Sequence, residues 1–273
     1  MRKFKNITIL TFSLLFFSII LKTDAKINFE KDCVGMWLFE EGSGTVVSDS
    51  SPQENHGTIV GDVAWGPGKF GDGLVFDGIV DNYVEIPDSD SLDMKENISV
   101  VFWFMTTKTM AEATRWADRQ VPIGKHYEEY EVGIYDSGFV HTYTGKEGGY
   151  DEGIMVTMAE TVDPEFEVNK WYHLAWTLDG KIETVYINGM MIGETFEKEN
   201  LGTKQGNHTL EIGRRTGGGL PFSGTIDEVG VYNVTLGAAD IKEIAESGLA
   251  GTKTAVDPAS KLATTWGSLK KQR

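Results

Sequence analysis

The stretch KWYHLAWTLDGKIETVYINGMMIGE, from Lys170 to Glu194, constrains the fold more than any other part of this chain. Asp179-Gly180 and Asn188-Gly189 interrupt runs rich in β-branched and aromatic residues. Such pairs accept the positive φ angles of tight hairpin turns, so the three runs around them read as an antiparallel meander. Alternation in the first run sets Tyr172, Leu174, Trp176 and Leu178 on one face. Trp171, His173, Ala175 and Thr177 take the other. The first set is apolar enough to be the inner side of a sheet.

The rest of the chain continues in the same way. Candidate strands fall at 34–39, 58–65, 73–76, 83–86, 98–106, 120–125, 130–135, 139–144, 154–159, 209–212 and 225–232. Turn residues separate them, and 32 glycines against 7 prolines supply many tight turns. No helical stretch long enough for a parallel crossover lies between them, which predicts an all-β antiparallel sandwich or barrel. The run 98–106 is apolar on both faces, with Ile98, Val100, Phe102 and Phe104 opposite Val101, Trp103 and Met105. It reads as a central strand covered on both sides. Two segments break the pattern. Residues 107–120 are helix-compatible and read as an insertion over one sheet face. Residues 236–251 place Ile241, Ile244 and Ala245 at helical spacing with Gly248 as a stop, which predicts a short C-terminal helix. Residues 251–273 read as an extended tail.

The N-terminus carries an address. Arg2, Lys3 and Lys5 precede an apolar run from Ile7 to Leu21, and Thr23-Asp24-Ala25 offers small residues for cleavage. This is the pattern of a secretory signal peptide over 1–25, followed by a domain at 26–250. The run falls short of the ~20 residues that span a bilayer. No second run of that length exists, so the mature chain is expected to be secreted and soluble. One cysteine, Cys33, cannot form an internal disulfide, so the core alone must hold an exported fold together. The formal net charge of −16 argues against nucleic acid and anionic membrane as partners, and it suits divalent cations.

In GTIDEVGVYN, from Gly224 to Asn233, strict alternation puts Asp227 on the same face as Val229 and Val231. A lone carboxylate is costly to bury there. A cation, backbone N–H groups or water at the strand end would be needed to stabilise it.

Several motifs together resemble a known family. VGMWLFEEGSGTVVSDSSPQENHGTIVG and GKFGDGLVFDGIVDNYVEIPDSDSLD are similar to the opening of the laminin-G-like, concanavalin A-like lectin/glucanase jelly-roll domains of bacterial secreted proteins. ISVVFWFMT, the meander, and IGRRTGGGLPFSGTIDEVGVYNVTLGAADI follow in the family's order. The resemblance runs from about Val34 to Glu246, and departures concentrate between Met105 and Met155. It implies a jelly-roll β-sandwich of two curved sheets, each of about six or seven strands. It also implies a concave face that often binds glycans, and frequently a structural calcium ion. By that resemblance Asp227 is a calcium ligand, with Glu40 and Asp77 as contributors. The alternative is that Asp227 accepts backbone N–H groups without a metal. Calcium takes about six to eight hard oxygens.

Enzymatic chemistry finds little support. The glucanases of this fold aim acids into the cleft with a Glu-x-Asp-x-x-Glu pattern. EEYEVGIYD is the nearest stretch: Glu129 and Glu131 share one strand face, but the Asp is missing and Asp136 lies too far along. His126-Tyr127-Glu128 resembles half a deaminase motif with no Cys-x-x-Cys after it. GRRTGGG could grip an anion through Arg214 and Arg215 but precedes no helix, as a phosphate loop would require. The aromatic residues in and beside the variable region, Trp116, Tyr127, Tyr130, Tyr143 and Tyr150, are the better candidates. With Arg214, they suit the C–H faces and hydroxyls of a sugar. The sequence therefore predicts a non-catalytic glycan-binding module. A glycoside hydrolase or lyase and an adhesive protein-interaction domain are the alternatives. N-terminal sequencing of the exported protein is expected to begin at Lys26; an intact Met1 on the secreted product would reject the leader reading.

Overall fold

A strand that is apolar on both faces must be covered twice, and the architecture is arranged around this requirement. The computed structural model describes residues 27–108, 119–135, 139–146, 149–157, 166–194 and 206–254. Sheet one runs in the order β14 (Met190–Glu194), β13 (Glu183–Ile187), β12 (Tyr172–Asp179), β7 (Asn97–Thr106), β16 (Ser223–Tyr232), β5 (Asp72–Asp77) and β4 (Ala64–Pro67). An eighth strand, β1 (Cys33–Trp37), pairs with the second half of β16. Sheet two runs β11 (Gly149–Thr157), β10 (Phe139–Lys146), β9 (Tyr130–Ile134), β8 (Gln120–Gly124), β15 (Leu210–Ile212), β6 (Tyr83–Ile86), β3 (Gly57–Val60) and β2 (Val46–Val47). The ladders are antiparallel, so the all-β sandwich expected from the hairpin signals is the observed one. Among the described residues, each sheet has eight strands rather than the six or seven that the resemblance implied.

The core lies between the sheets. Tyr172, Leu174, Trp176 and Leu178 meet Val100, Phe102 and Phe104 from β7 and Val132, Ile134, Leu210 and Ile212 from sheet two. Fully burying one such large apolar side chain contributes roughly 1.5–3 kcal/mol. One polar tie crosses this interior. Glu183 on β13 accepts bonds from Trp176 Nε1 at 3.0 Å and from the Thr142 hydroxyl on β10.

Two elements cover the outer face of sheet one. The C-terminal helix α2 (Ala238–Thr254) seats Ile241, Ile244 and Leu249 against Val101, Ala175, Tyr186 and Tyr232. The β4–β5 hairpin tip lays Phe70 edge-on against Trp103, with ring centroids 5.8 Å apart. Among the described residues, no helix is long and apolar enough to cross a membrane.

Gly248 interrupts the helix as expected: it takes a non-helical conformation (φ 74°, ψ 171°) between two helical pieces of α2, and the second piece continues to Thr254. Glu228 caps that second piece by accepting the Leu249 N–H at 2.6 Å. One expectation is corrected here, since β16 does not alternate strictly. Glu228 has φ 46°, and the register with β7 slips between Asp227↔Trp103 and Gly230↔Val101. This bulge changes the phase, so Val229 and Val231 join Ile226 in the core while Asp227 lies on the opposite face. The helix-compatible segment at 107–120 falls mostly outside the described residues.

Gly224, where β16 meets β5 and β7, has φ 145°, and a Cβ there would lie 2.0 Å from the Met105 carbonyl oxygen. Gly224→Ala is therefore expected to cost ~2–4 kcal/mol, seen as a Tm drop of roughly 5–15 °C. Gly217→Ala, at φ 82° with open space around it, should cost only about 1 kcal/mol in the same melts.

Candidate functional site

Because Tyr130, Val132 and Ile134 point into the core, Glu129 and Glu131 must point out. Tyr130 is 1% exposed inside the sandwich, so the expectation that it lines a ligand face is overturned by the strand's own alternation. On β10, Val140 points inward and His141 and Tyr143 lie on the outer side with Glu131. The β8–β15 pairing, Gly124↔Glu211, then brings the turn at 125–129 beside residues 206–216.

A stack of rings forms at this junction. His208 and His126 lie parallel, with centroids 4.0 Å apart and an interplanar angle of 5°. The Tyr127 ring follows at 4.1 Å, and Tyr143 meets Tyr127 at 6.3 Å, edge to face. The Arg215 guanidinium lies over both tyrosines, at 5.3 and 5.5 Å. Ion pairs fix the stack from below. Arg215 grips Glu131 with two bonds of 2.7 and 2.6 Å. Arg119 reaches the same carboxylate at 3.5 Å and the Tyr143 hydroxyl at 3.2 Å. Lys125, fully buried, binds Asp88, Asp93 and Glu129 at 2.9, 2.7 and 2.5 Å. Glu129 then holds His208 Nδ1 at 2.6 Å.

The local sequence explains why the turn takes this shape. His126 adopts φ 80°, and its Nδ1 accepts the Glu128 N–H. Gly206 must be glycine, since a Cβ would sit 2.3 Å from Glu129 Oε1. Beyond Arg215, Gly217, Gly218 and Gly219 all have positive φ with no atom near their missing Cβ.

The electrostatics follow from burial and pairing. Burial alone would pull the Lys125 ammonium down, but its three carboxylates outweigh burial and hold it above the ordinary lysine range. Burial, with Arg119 and Arg215 nearby, lowers His141 to about 3, so it stays neutral.

The other expected site residues lie elsewhere. Arg214 sits under Tyr83 on β6, at 3.4 Å from the ring, and bonds Glu211 and the Val80 carbonyl. It is Arg215 that joins the ring stack. Trp116 and the Tyr150 side chain lie outside the described residues. His126 and His208, partners across two loops, carried no motif that marked them as neighbours.

The three carboxylates expected to share calcium do not converge. Asp77 pairs with Ser223, at the far end of the β5–β16 ladder from Asp227. Its oxygens accept the Ile79 N–H and the Asn82 amide, which is turn chemistry. Glu40 lies against Gly71. Asp227 Oδ2 accepts the Lys69 and Phe70 N–H groups at 2.7 and 2.9 Å, latching the hairpin tip to the sheet. Its Oδ1 is buried without a hydrogen-bond partner. Among the described residues, no three His, Cys, Asp or Glu side chains are grouped to hold a metal. This trio does not fit a site of six to eight oxygens.

The family model for the concanavalin A-like lectin/glucanases superfamily matches residues 76–242, more than half of the sequence. The chain belongs to this superfamily. Solved structures share its fold. Domain 4 of AbnA, an extracellular GH43 arabinanase from Geobacillus stearothermophilus in complex with arabinotriose, is 20% identical with TM-score 0.60. The match covers 79% of this chain and 99% of that domain. The binding domain of Paraclostridial Mosquitocidal Protein 1 is 14% identical with TM-score 0.65, covering 81% and 53%. The binding domain of botulinum neurotoxin DC, in complex with rat synaptotagmin II, is 17% identical with TM-score 0.62, covering 81% and 52%. The superfamily member described here therefore spans about half the length of these toxin binding domains. No curated protein matches the sequence.

Asp227 makes stability depend on pH. Burial, opposed by the Phe70 N–H and reinforced by Glu228, pushes its carboxyl up to about 7 from 3.8. A raised carboxyl stabilises the fold below its unfolded value and loses that contribution as pH climbs from about 4 to 7, at most ~4 kcal/mol. His173, lowered by burial to about 3, acts in the opposite sense and destabilises as pH falls below about 6.5. Asp227→Asn should therefore gain stability over the native chain as pH rises from 4 to 8. Melting curves across that range test this, and a pH-independent difference would contradict the assignment.

Proposed function

We propose that this chain is a secreted, non-catalytic carbohydrate-binding domain whose ligand lies on the His208–His126–Tyr127 ring stack. That stack is the observation that carries the reading. Sugar rings present apolar C–H faces that pack on aromatic faces, while their hydroxyls need a few fixed polar groups at the edge. Here the rings are held on buried ion pairs, and Arg215, His208 and Glu128 keep partly exposed surface beside them. The arabinotriose complex of the arabinanase domain supports a glycan on this fold. The toxin binding domain, about half of which matches this chain, forms a complex with synaptotagmin II, which supports binding, rather than turnover, as a use of proteins that carry this sandwich.

The non-catalytic part of the reading is supported by the acids. A glycosidase pair needs one carboxylic acid kept protonated and another carboxylate about 5–9.5 Å away. Glu129, in the turn just before β9, and Glu131 on β9 are both turned outward, and both are bound to cations. Secretion is supported by the charged and then apolar leader at the N-terminus.

A glycan array followed by titration calorimetry tests the reading. Tyr127→Ala is expected to weaken binding roughly tenfold or more, ~1.5 kcal/mol, with the melting temperature little changed. Release of reducing ends, abolished in Glu129→Gln or Glu131→Gln, would instead establish a hydrolase.

A further inference from the structure

Among the described residues, the cations around the ring stack are engaged by carboxylates. Arg215 is bidentate on Glu131, and Arg119 shares that same group. Lys125 is enclosed by Asp88, Asp93 and Glu129. Arg214 is turned away onto Glu211. Across this part of the face, the described residues present more carboxylates than cations. Glu128 adds a further half-buried carboxylate beside Tyr127.

We propose that the ligand of this site is an uncharged glycan and that glycans bearing carboxylate or sulfate groups are rejected. This rests on the carbohydrate-binding reading and names the chemical class it takes. A uronate or sulfate could take the paired Nε and Nη2 donors of Arg215 only by displacing Glu131, and that carboxylate is fully buried. Breaking a buried ion pair from one side leaves an uncompensated charge, which is costly. An acidic sugar that left the pair intact would meet the half-buried Glu128 beside Tyr127, in the field of a chain with formal charge −16. A neutral sugar incurs neither cost. It stacks on the rings and bonds the outer edges of groups whose charge is already balanced. Selection against acidic sugars therefore comes from like-charge repulsion built into the site rather than from a shape that excludes them.

The test is affinity electrophoresis with titration calorimetry on the mature chain at pH 8, where an imidazole is neutral. Neutral probes are arabinan, xyloglucan and mixed-linkage β-glucan; acidic probes are polygalacturonate, alginate and chondroitin sulfate. At least one neutral polymer should bind, and Tyr127→Ala should abolish the retardation. Every acidic polymer should bind at least about tenfold more weakly than that neutral polymer at low salt. Raising the salt should narrow the gap by screening the repulsion, while neutral binding stays constant. An acidic polymer bound as tightly as any neutral one would overturn the proposal and leave the carbohydrate reading standing. Retardation by no polymer of either kind would overturn both.

Discussion

The need to bury both faces of one sheet organises this molecule. Ile98, Val100, Phe102 and Phe104 on β7 require a second sheet, and Val101 and Trp103 on the reverse side require a second cover. Helix α2 and the β4–β5 tip supply that cover, each tied down through β16. Glu228 caps the bent helix and Asp227 holds the hairpin tip. Two adjacent carboxylates at one bulge thus secure both outer elements. With sheet one covered on both sides, the outer face of sheet two is where rings and charges gather, and the ring stack lies there.

The polar groups of that face are handled differently from those of the core. Inside the sandwich, one carboxylate, Glu183, spans the layers with neutral donors. On the outer side, carboxylates and cations are matched in dense pairs, several of them buried. Such pairs contribute little net stability, because desolvation offsets attraction. Their effect here is positional. Lys125 and Glu129 set the turn that carries His126 and Tyr127, and Glu131 aims Arg215 over the tyrosines.

Much of the fold was legible in the sequence because it depends on local rules. The Asp-Gly and Asn-Gly turns, the alternation of β12 and the two apolar faces of β7 each specified their own geometry. Residues failed to read correctly where tertiary structure overrode local pattern. Asp227 seemed to share a face with valines because alternation assumes no bulge, and the left-handed Glu228 reversed the phase. Tyr130 looked like a ligand residue by composition, yet the same alternation that turns Glu129 and Glu131 to the outer side of the sheet sends it inward. Arg214 and Arg215 are adjacent in sequence, and nothing in GRRTGGG tells which of them faces the rings. The His126–His208 contact depends on the β8–β15 pairing, a long-range fact no short motif encodes. Asp77 and Glu40 were read from family likeness, and the ladder register separates Asp77 from Asp227.

The three consecutive glycines after Arg215 have a consequence for how this surface can change. Their backbone already adopts conformations that only glycine holds easily, and no neighbour constrains the space around them. Residues inserted between Gly217 and Gly219 would extend into solvent from a rim anchored by Thr216, whose hydroxyl is bonded to the Gly124 carbonyl. The surface beside the ring stack can therefore be enlarged at this point without disturbing the sandwich that supports it, which makes this short loop a natural place for new contacts to be added.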